Sequence, residues 1–379
     1  MIEKNLHICV VTIDYPGNNR SEFTFVEQLV LEFASLGVRC TVIAPFSITK
    51  SLLRIMPFDR KYQLIIKEEN RIEIYRPRYI SFSNFKLFGI SLSAYFHKCA
   101  VNKTLNKLKV QPDVLYSHFW ASGIECYNYA LNKNIPLFIA TGESIIHDLN
   151  AGRKFKLPEF RDYVSGVICV SEKNRDESIE KGLTTADKCI VLPNGVDLSK
   201  FYKKDQRASR KLMGYSTDDF IVVFVGHFDE RKGTLRLSSA INILNDPGIR
   251  SIFIGNGPMV PDCDGILFRG KVSHDNISDY LNCADVFVLL TLHEGCSNAI
   301  IEAMACGLPI ISSDLAFNKD ILDDGNSIRV DPNNIRAIAD AVKEIKENPQ
   351  KRKKALNPIN PALRLSPHLI KDPTMSSEV

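Results

Sequence analysis

One strand–helix–strand stretch constrains the fold of this chain more than any other. Residues 285–290 are a short apolar run of strand-forming residues, which predicts a buried parallel strand. Residues 308–312 predict the next strand, and a helix lies between the two. Ser297 or Asn298 is its candidate N-cap, and Gly307 stands where a C-terminal glycine belongs. The pattern predicts an α/β fold with a parallel sheet.

The helix in this stretch carries one carboxylate, Glu302, among apolar residues. A buried carboxylate is costly unless it is hydrogen-bonded, and the vicinal hydroxyls of a ribose would match its two oxygens. Glu294 lies in the loop after the first strand, where open α/β sheets bind ligands, and the amides at the helix start suit a phosphate. These features favour a nucleotide sugar. Alternatively, Glu302 pairs with a buried Arg or Lys, and Glu294 is merely solvated.

Residues 294–309 resemble the Glu-x7-Glu signature of the family-4 retaining glycosyltransferases, with Glu294 and Glu302 as the two glutamates. The resemblance extends over roughly residues 5–350 and is strongest after residue 165. It implies the GT-B fold, in which two Rossmann-like domains face a central cleft. It also implies that Glu294 contacts the donor sugar and Glu302 the ribose. Donor contacts are further expected from the loop and helix start, at Gly295, Ser297, Asn298 and Ala299.

Composition places the chain among ordinary globular proteins. Its 379 residues suffice for two domains, and its hydrophobic content of 45% and charged content of 24% are typical. No apolar run approaches the ~18 residues of a transmembrane helix, and residues 6–13 are too short an apolar run for a secretory leader. Ten cysteines without a Cys-x-x-Cys pair favour a reducing cytoplasm over disulfides or zinc.

Residues 50–109 form a basic block, with 13 Lys and Arg against 4 Asp and Glu. The block also contains several aromatic residues, among them Tyr79, Phe82, Tyr95 and Phe96. Basic and aromatic residues together suggest peripheral contact with anionic lipid head groups on the inner face of the membrane. No nucleic-acid motif accompanies them. The alternative is a solvated basic face over ordinary core aromatics.

The N-terminal half begins as a βαβ unit, with strands at 6–13 and 38–44 around a helix at 23–36. Its first loop lacks Gly-x-Gly-x-x-Gly, which argues against a nicotinamide or flavin site. A further strand ends at His118, close to Trp120, the only tryptophan. This pair is a candidate acceptor-binding corner, although Trp120 could equally be a core residue.

Another strand, at 136–141, ends at Thr141. In the resembling family a histidine beside the reacting sugar often occupies this place. Glu143, Ser144 and His147 are nearby polar alternatives. The expected acceptor-binding set is therefore His118, Trp120, Thr141, Glu143 and His147.

In the C-terminal half, the strand at 220–225 leads into Gly226 and then a Lys-Gly pair at a helix start, which suits a diphosphate. The resemblance implies that an Arg after the first glycine and the Lys of Arg-Lys-Gly hold the pyrophosphate. Lys232 matches, whereas His227 occupies the Arg position as a weaker, pH-dependent cation. Arg231 is a substitute cation for that role. By the same resemblance Gly255, Gly257 and the backbone of Val272, which meets the nucleobase, complete the donor site.

The predicted domains are 1–202, which ends after the Asn-Gly turn at Asn194 and Gly195, and 203–355. Residues 203–210 are interpreted as the linker. Family members usually continue with a helix that returns to the first domain. Here three prolines fall within ten residues, so 356–379 is predicted to be a disordered tail.

The expected function is cytoplasmic, retaining transfer of a hexose from a nucleotide diphosphate sugar to a glycan or lipid-linked glycan of a cell-surface polysaccharide. Glu294, Lys232 and His227 would carry the chemistry, without a cofactor or a bound metal. Two alternatives are open: a nucleotide-sugar-binding protein with impaired catalysis, and a nucleotide-sugar 2-epimerase on the same fold.

Overall fold

The computed structural model describes residues 6–17, 23–53, 60–67, 70–82, 86–87, 90–146 and 156–350. The chain divides into two compact units, Met1–Leu192 and Pro193–Val379. His147 and the predicted tail 356–379 lie outside the described residues.

This division precedes the boundary predicted after residue 202. Val196 and Phe201 are buried in one cluster with the strands of the second unit. Because these apolar side chains pack there, the Asn-Gly turn and the residues after it belong to the second unit.

The strands of the first unit are β1 His7–Val11, β2 Arg39–Ile43, β3 Phe46–Ser47, β4 Tyr62–Lys67, β5 Asn70–Tyr75, β6 Arg78–Tyr79, β7 Lys86–Leu87, β8 Ile90–Ser91, β9 Val114–His118, β10 Leu137–Thr141, β11 Gly166–Cys169 and β12 Cys189–Val191. The helices are α1 Thr24–Ser35, α2 Ile48–Leu52, α3 Leu92–Leu105, α4 Trp120–Lys133, α5 Leu157–Tyr163 and α6 Glu172–Glu180, with a 3₁₀ turn at Ala186–Lys188. The predicted βαβ start of the chain is confirmed by β1, α1 and β2.

In the described part of the first unit, eight strands form one sheet in the order β12-β11-β10-β9-β1-β2-β5-β4. All neighbours are parallel except the edge pair β4–β5. The central strand β1 is buried along its whole length, as expected for a parallel sheet covered on both faces. The carboxyl ends of β9 and β10 are adjacent, which brings His118 and Thr141 to one edge of the sheet.

The second unit contains strands β13 Phe220–Val225, β14 Ile249–Ile254, β15 Ile266–Gly270, β16 Val286–Leu289, β17 Ile310–Ser313 and β18 Ser327–Val330. Its helices are α7 Gln206–Met213, α8 Thr234–Leu244, α9 His274–Leu281, α10 Asn298–Ala305 and α11 Ile335–Glu347, with a 3₁₀ turn at Ala316–Asn318. The strand–helix–strand prediction for 285–312 is confirmed by β16, α10 and β17.

The linker predicted at 203–210 is wrong, because α7 begins within it. Asp205 caps this helix by accepting a hydrogen bond from Ala208 N at 2.7 Å, and Gly214 ends it in the left-handed conformation, with φ 74°. The helix is polar, but Arg210 is buried on its inner side. The guanidinium of Arg210 compensates the charge of the buried carboxylate of Asp285. Counting apolar residues does not detect a helix that is held in place by such a charge.

The six strands of the second unit's described residues are all parallel, in the order β15-β14-β13-β16-β17-β18. After β13 the chain adds β14 and β15 on one side and then crosses to β16 on the other. The point between β13 and β16 is therefore the topological switch point, where open α/β sheets bind ligands at the carboxyl ends of the strands. The loops after β13 and β16 meet at this edge.

A buried ion pair fixes the beginnings of these two strands. Asp285 Oδ2 accepts hydrogen bonds from Arg210 Nη2 and from the Ile221 backbone N–H, both at 2.7 Å. Arg210 also donates to the backbone oxygen of Cys283 at 2.8 Å. With its partners in place the buried charge is compensated, and β16 is held in register beside β13.

Candidate functional site

The loops after β13 and β16 meet at Glu294. Arg231 Nη1 lies 2.9 Å from Glu294 Oε1 and 3.0 Å from Oε2, and Lys232 Nζ also donates to Oε1. Glu294 is only 9% exposed, so the alternative of a merely solvated carboxylate is not what the structure shows. Three predicted site residues are thus joined in one charge cluster, with two cations around one carboxylate.

The backbone of the loop after β13 is fitted closely against the loop after β16. Leu292 N donates to the Arg231 carbonyl oxygen at 2.8 Å. Gly233 has φ 78°, and a Cβ there would lie 2.7 Å from the Leu290 carbonyl oxygen. Only glycine fits this position without a shift of backbone, which explains why a glycine follows Lys232 at the start of α8.

The glycines that were predicted to contact the donor also let two backbone segments approach each other closely. A Cβ on Gly255 would lie 1.8 Å from the Gly226 carbonyl oxygen, and one on Gly257 would lie 2.4 Å from that of Phe228. His227 lies in the same loop, with its side chain 52% exposed and its Nδ1 3.3 Å from Asp229 Oδ2. His227 is therefore accessible, and the carboxylate beside its ring is that of Asp229 rather than that of Glu294.

Glu302 has an internal partner that the sequence analysis missed. His274 Nε2 lies 2.9 Å from Glu302 Oε1, and the imidazole packs at a tilt against Phe201, with ring centroids 5.2 Å apart. Among the residues that the structure describes, neither a buried Arg nor a buried Lys fills this role. Burial lowers the pKa of His274, but the hydrogen bond and charge of Glu302 outweigh it, so the pKa is raised above its ordinary value. His274 is the first residue of α9, 28 residues before its partner.

The start of α10 is as the sequence predicted, with Ser297 as the N-cap residue and Asn298 as the first helical residue. The Ser297 hydroxyl makes no capping hydrogen bond, and its buried Oγ has no protein partner among the described residues. Asn298 Oδ1 accepts from Asn194 Nδ2 at 2.8 Å, which ties the Asn-Gly turn to this helix. The Ser297 side chain thus leaves the first amides of α10 uncapped, and such amides can bind a phosphate.

In the first unit, Trp120 is a core residue. It is fully buried, and its Nε1 donates to Ser178 Oγ at 3.2 Å. This is the alternative that the sequence left open, and it corrects the expected acceptor contact, because a side chain without exposed surface cannot touch a ligand. His118 is also buried, with its ring beside those of Phe25 and Phe119. Burial lowers the pKa of His118 to about 3, so the imidazole stays neutral.

Glu143 joins the ends of two neighbouring strands. Its Oε2 accepts from the Thr141 hydroxyl at 2.6 Å and from Gly142 N at 3.0 Å, and its Oε1 accepts from Trp120 N at 2.8 Å. Burial raises the pKa of Glu143, although these hydrogen bonds lower it. Thr141 is fully buried, and its hydroxyl is committed to Glu143. The two residues form a structural link at the sheet edge where acceptor contacts were expected.

Within the ranges that the structure describes, no group of three or more His, Cys, Asp and Glu side chains is arranged to hold a metal ion. None of the described helices combines the length and the apolar composition needed to cross a bilayer. Catalysis without a metal remains a prediction.

Two family models match the chain. Residues 219–348 match the family described as Glycosyl transferases group 1, and residues 23–200 match Glycosyltransferase Family 4. Among curated proteins, the chain is 29% identical over 355 residues to a Bacillus subtilis protein that carries the provisional name of a teichuronic acid biosynthesis glycosyltransferase. That match covers 89% of this chain and 88% of the relative.

Solved structures show the same fold. Sucrose-phosphate synthase from Thermosynechococcus elongatus matches with a TM-score of 0.72 and 19% identity, over 93% of this chain and 92% of that one. The Anabaena protein HepE, solved in complex with UDP-glucose, matches with a TM-score of 0.64 and 16% identity, over 94% and 93%. The predicted α/β GT-B fold is confirmed, and the chain belongs to the group 1, family-4 glycosyltransferases.

Proposed function

We propose that this protein is a retaining glycosyltransferase that moves a hexose from a nucleoside diphosphate sugar to a glycan or lipid-linked glycan during synthesis of a cell-surface polysaccharide. The observation that carries the proposal is the charge cluster of Glu294, Arg231 and Lys232 at the switch point of the second unit, with Glu302 on the adjoining helix α10. The UDP-glucose complex of HepE and the name of the Bacillus subtilis relative support the donor class and the polysaccharide context.

Each chemical group of the donor would bind to a different part of this site. Its diphosphate would meet Arg231, Lys232 and the uncapped amides of α10, since cations and helix starts both favour phosphate. Its ribose would bind Glu302. A phosphate would compete with Glu294 for the two cations, and the Glu294 oxygens released in this way would accept hydrogen bonds from the sugar hydroxyls.

In the proposed reaction the acceptor attacks from the face on which the phosphate departs. The acceptor hydroxyl oxygen forms the new bond to the anomeric carbon, and the bond from that carbon to the β-phosphate oxygen breaks. The bonding electrons stay on the phosphate oxygen, which also takes the acceptor proton. Negative charge develops on the leaving diphosphate, so Lys232 and Arg231 stabilise the transition state more than the ground state.

The first unit would receive the acceptor, and its surface supports a peripheral membrane location on the cytoplasmic side. Phe82 and Tyr95 both pack against Phe96, with ring centroids 5.9 and 5.5 Å from it, and all three side chains are exposed. Leu52 and Leu53 at the end of α2 are also exposed, within the basic block. Exposed apolar side chains among Lys and Arg fit an anionic membrane that carries a lipid-linked acceptor.

Liposome flotation tests this location. The wild type should float with vesicles that contain phosphatidylglycerol and remain below those of phosphatidylcholine alone, whereas a Tyr95→Ser, Phe96→Ser double variant should lose the binding. Flotation that is equal for wild type and variant would contradict the contact.

Turnover with a panel of nucleoside diphosphate sugars and oligosaccharide or lipid-linked acceptors tests the proposed function itself. Release of the nucleoside diphosphate should require an acceptor, and NMR of the product should show that the anomeric configuration of the donor is kept. An epimerised sugar formed without acceptor would identify a 2-epimerase instead. Donor binding without turnover over the whole acceptor panel would identify a binding protein.

A further inference from the structure

The geometry points to His274 as the positioning residue of Glu302, holding one carboxylate oxygen so that the other is presented to the donor ribose. This inference rests on the proposed function, because it assigns a purpose to the ribose contact. His274 Nε2 bonds to Oε1 of Glu302 at 2.9 Å. In the described part of the chain no protein group hydrogen-bonds to Glu302 Oε2, which leaves that oxygen to accept from a hydroxyl.

The imidazole is itself held in place on two sides. Phe201 is buried to 1% exposure in the core of the second unit, and its ring packs against His274 with centroids 5.2 Å apart. The backbone of His274 is fixed at the start of α9, where Ser273 is the N-cap residue. Contact with the Phe201 ring on one side and the hydrogen bond to Glu302 on the other hold the imidazole in one orientation. The hydrogen bond in turn fixes the orientation of the Glu302 carboxylate.

The charges around the ring favour a charge-assisted hydrogen bond. Glu302 faces the imidazole from α10, and Asp275 lies next to it on α9. Lys200 opposes these carboxylates, but its ammonium is bonded to Asp275 at 2.7 Å. The resulting raised pKa keeps His274 cationic to higher pH than a free histidine. The cation compensates the charge of the partly buried Glu302, and the second carboxylate oxygen remains available to a ribose hydroxyl.

The position of His274 in the sequence connects two parts of the donor. Val272, whose backbone is expected to meet the nucleobase, lies two residues before it in the connection from β15 to α9. One short segment would therefore set both the base contact and the ribose carboxylate. Neither group takes part in the bond that breaks, so the contribution of His274 should be to donor binding and equally large in the ground and transition states.

The test compares two replacements of this one side chain. His274→Gln keeps an N–H donor at similar reach, whereas His274→Phe keeps the ring and the packing on Phe201 but removes the donor. Dissociation constants would be measured by calorimetry for UDP, GDP, ADP, CDP and dTDP, and the tightest binder becomes the probe. His274→Phe should raise the dissociation constant of the probe by about tenfold, which corresponds to one lost charge-assisted hydrogen bond. His274→Gln should stay within about threefold of wild type.

The kinetic counterpart is a donor KM that rises in His274→Phe while kcat changes less than about twofold. Asp279→Asn, on the same helix and with its carboxylate exposed and bound to Lys204, is the matched control and should change neither constant. Equal weakening by Gln and Phe would overturn the positioning role, since donor binding would then not depend on whether the side chain at position 274 keeps its N–H donor.

Glu302→Gln separates failure of this inference from failure of the proposed function. If Glu302→Gln weakens the probe and His274→Phe does not, the ribose contact stands and the positioning role is refuted. If neither variant has an effect, or if no nucleoside diphosphate binds the wild type, the donor site itself is wrongly assigned.

Discussion

Lys232 donates a hydrogen bond to Glu294, and the neighbouring Arg231 bonds to both oxygens of the same carboxylate. One buried acid thus has two cations, so its charge remains compensated when either cation is removed. This redundancy allows the proposed contribution of Lys232 to catalysis to be measured apart from its contribution to stability.

Lys232→Met should lower kcat by about a hundredfold, by analogy with the loss of one donor from a preorganised anion site. The melting temperature should change little, because Arg231 still compensates Glu294. Steady-state kinetics and a thermal melt on the same sample measure the two effects. Lys343→Met, which removes an exposed lysine from α11, is the control and should match the wild type in both. A Lys232→Met enzyme with nearly full kcat would contradict the assigned role.

Removal of both cations should have a different consequence. A chain with Arg231→Met and Lys232→Met retains Glu294 as a buried charge without a partner, and should be destabilised by about 3 kcal/mol. The further change Glu294→Gln removes that charge and should restore most of the loss. Chemical denaturation of the three chains measures the coupling. Equal stabilities of the double and triple variants would show that the cations do not compensate Glu294.

The pH dependence of stability should report the pair of His274 and Glu302. The pKa of His274 is raised in the folded protein from an ordinary value of 6.5. Its stabilising contribution is therefore fully present below pH 6.5 and is lost as the pH rises through the folded-state pKa. The melting temperature of the wild type should exceed that of His274→Gln most at pH 5 to 6, and the difference should shrink toward pH 9. A difference that is constant with pH would contradict the ion pair.

In the first unit, Glu143 and Thr141 should act as one structural link. Glu143→Ala removes the acceptor for Trp120 N at the start of α4 and should cost about 1–2 kcal/mol. Thr141→Val should add little to this loss, because its hydroxyl donates to Glu143. Trp120 is the only tryptophan, so its fluorescence during urea denaturation reports this unit. Additive losses in the double variant would show that the two side chains act independently.

Local sequence predicted the strands of the second unit well, most clearly β13 and β16, which are continuous apolar runs. Glycine follows β13 and proline precedes β17. The partners of the charged residues were not predictable in this way. Lys232 and Glu294 are 62 residues apart, and His274 and Glu302 are 28 apart. Only the order of the strands in the sheet brings such residues together, and no local pattern specifies that order.

Two residues of the first unit show a second limit of sequence reasoning. A position just after a strand can face the ligand edge or turn back under a helix, and Trp120 turns back, with its indole bonded to Ser178 on α6. Thr141 was expected at the acceptor, but its hydroxyl is bonded to Glu143 two residues later. A sequence gives the type of each polar group but not the partner that satisfies it.

The central claim, that Glu302 and Glu294 hold opposite ends of an activated sugar, is tested most directly by a pair of calorimetric titrations on each of three proteins. Wild type, Glu302→Ala and Glu294→Ala would each be titrated with the best-binding nucleoside diphosphate and with its glucose conjugate. Glu302→Ala should weaken both ligands by about tenfold, because both contain the ribose. Glu294→Ala should weaken only the sugar conjugate, and should leave the nucleoside diphosphate equal or tighter because Arg231 and Lys232 are released to its phosphates. The account would be contradicted if Glu294→Ala bound both ligands equally more weakly than the wild type, or if Glu302→Ala bound them with unchanged affinity.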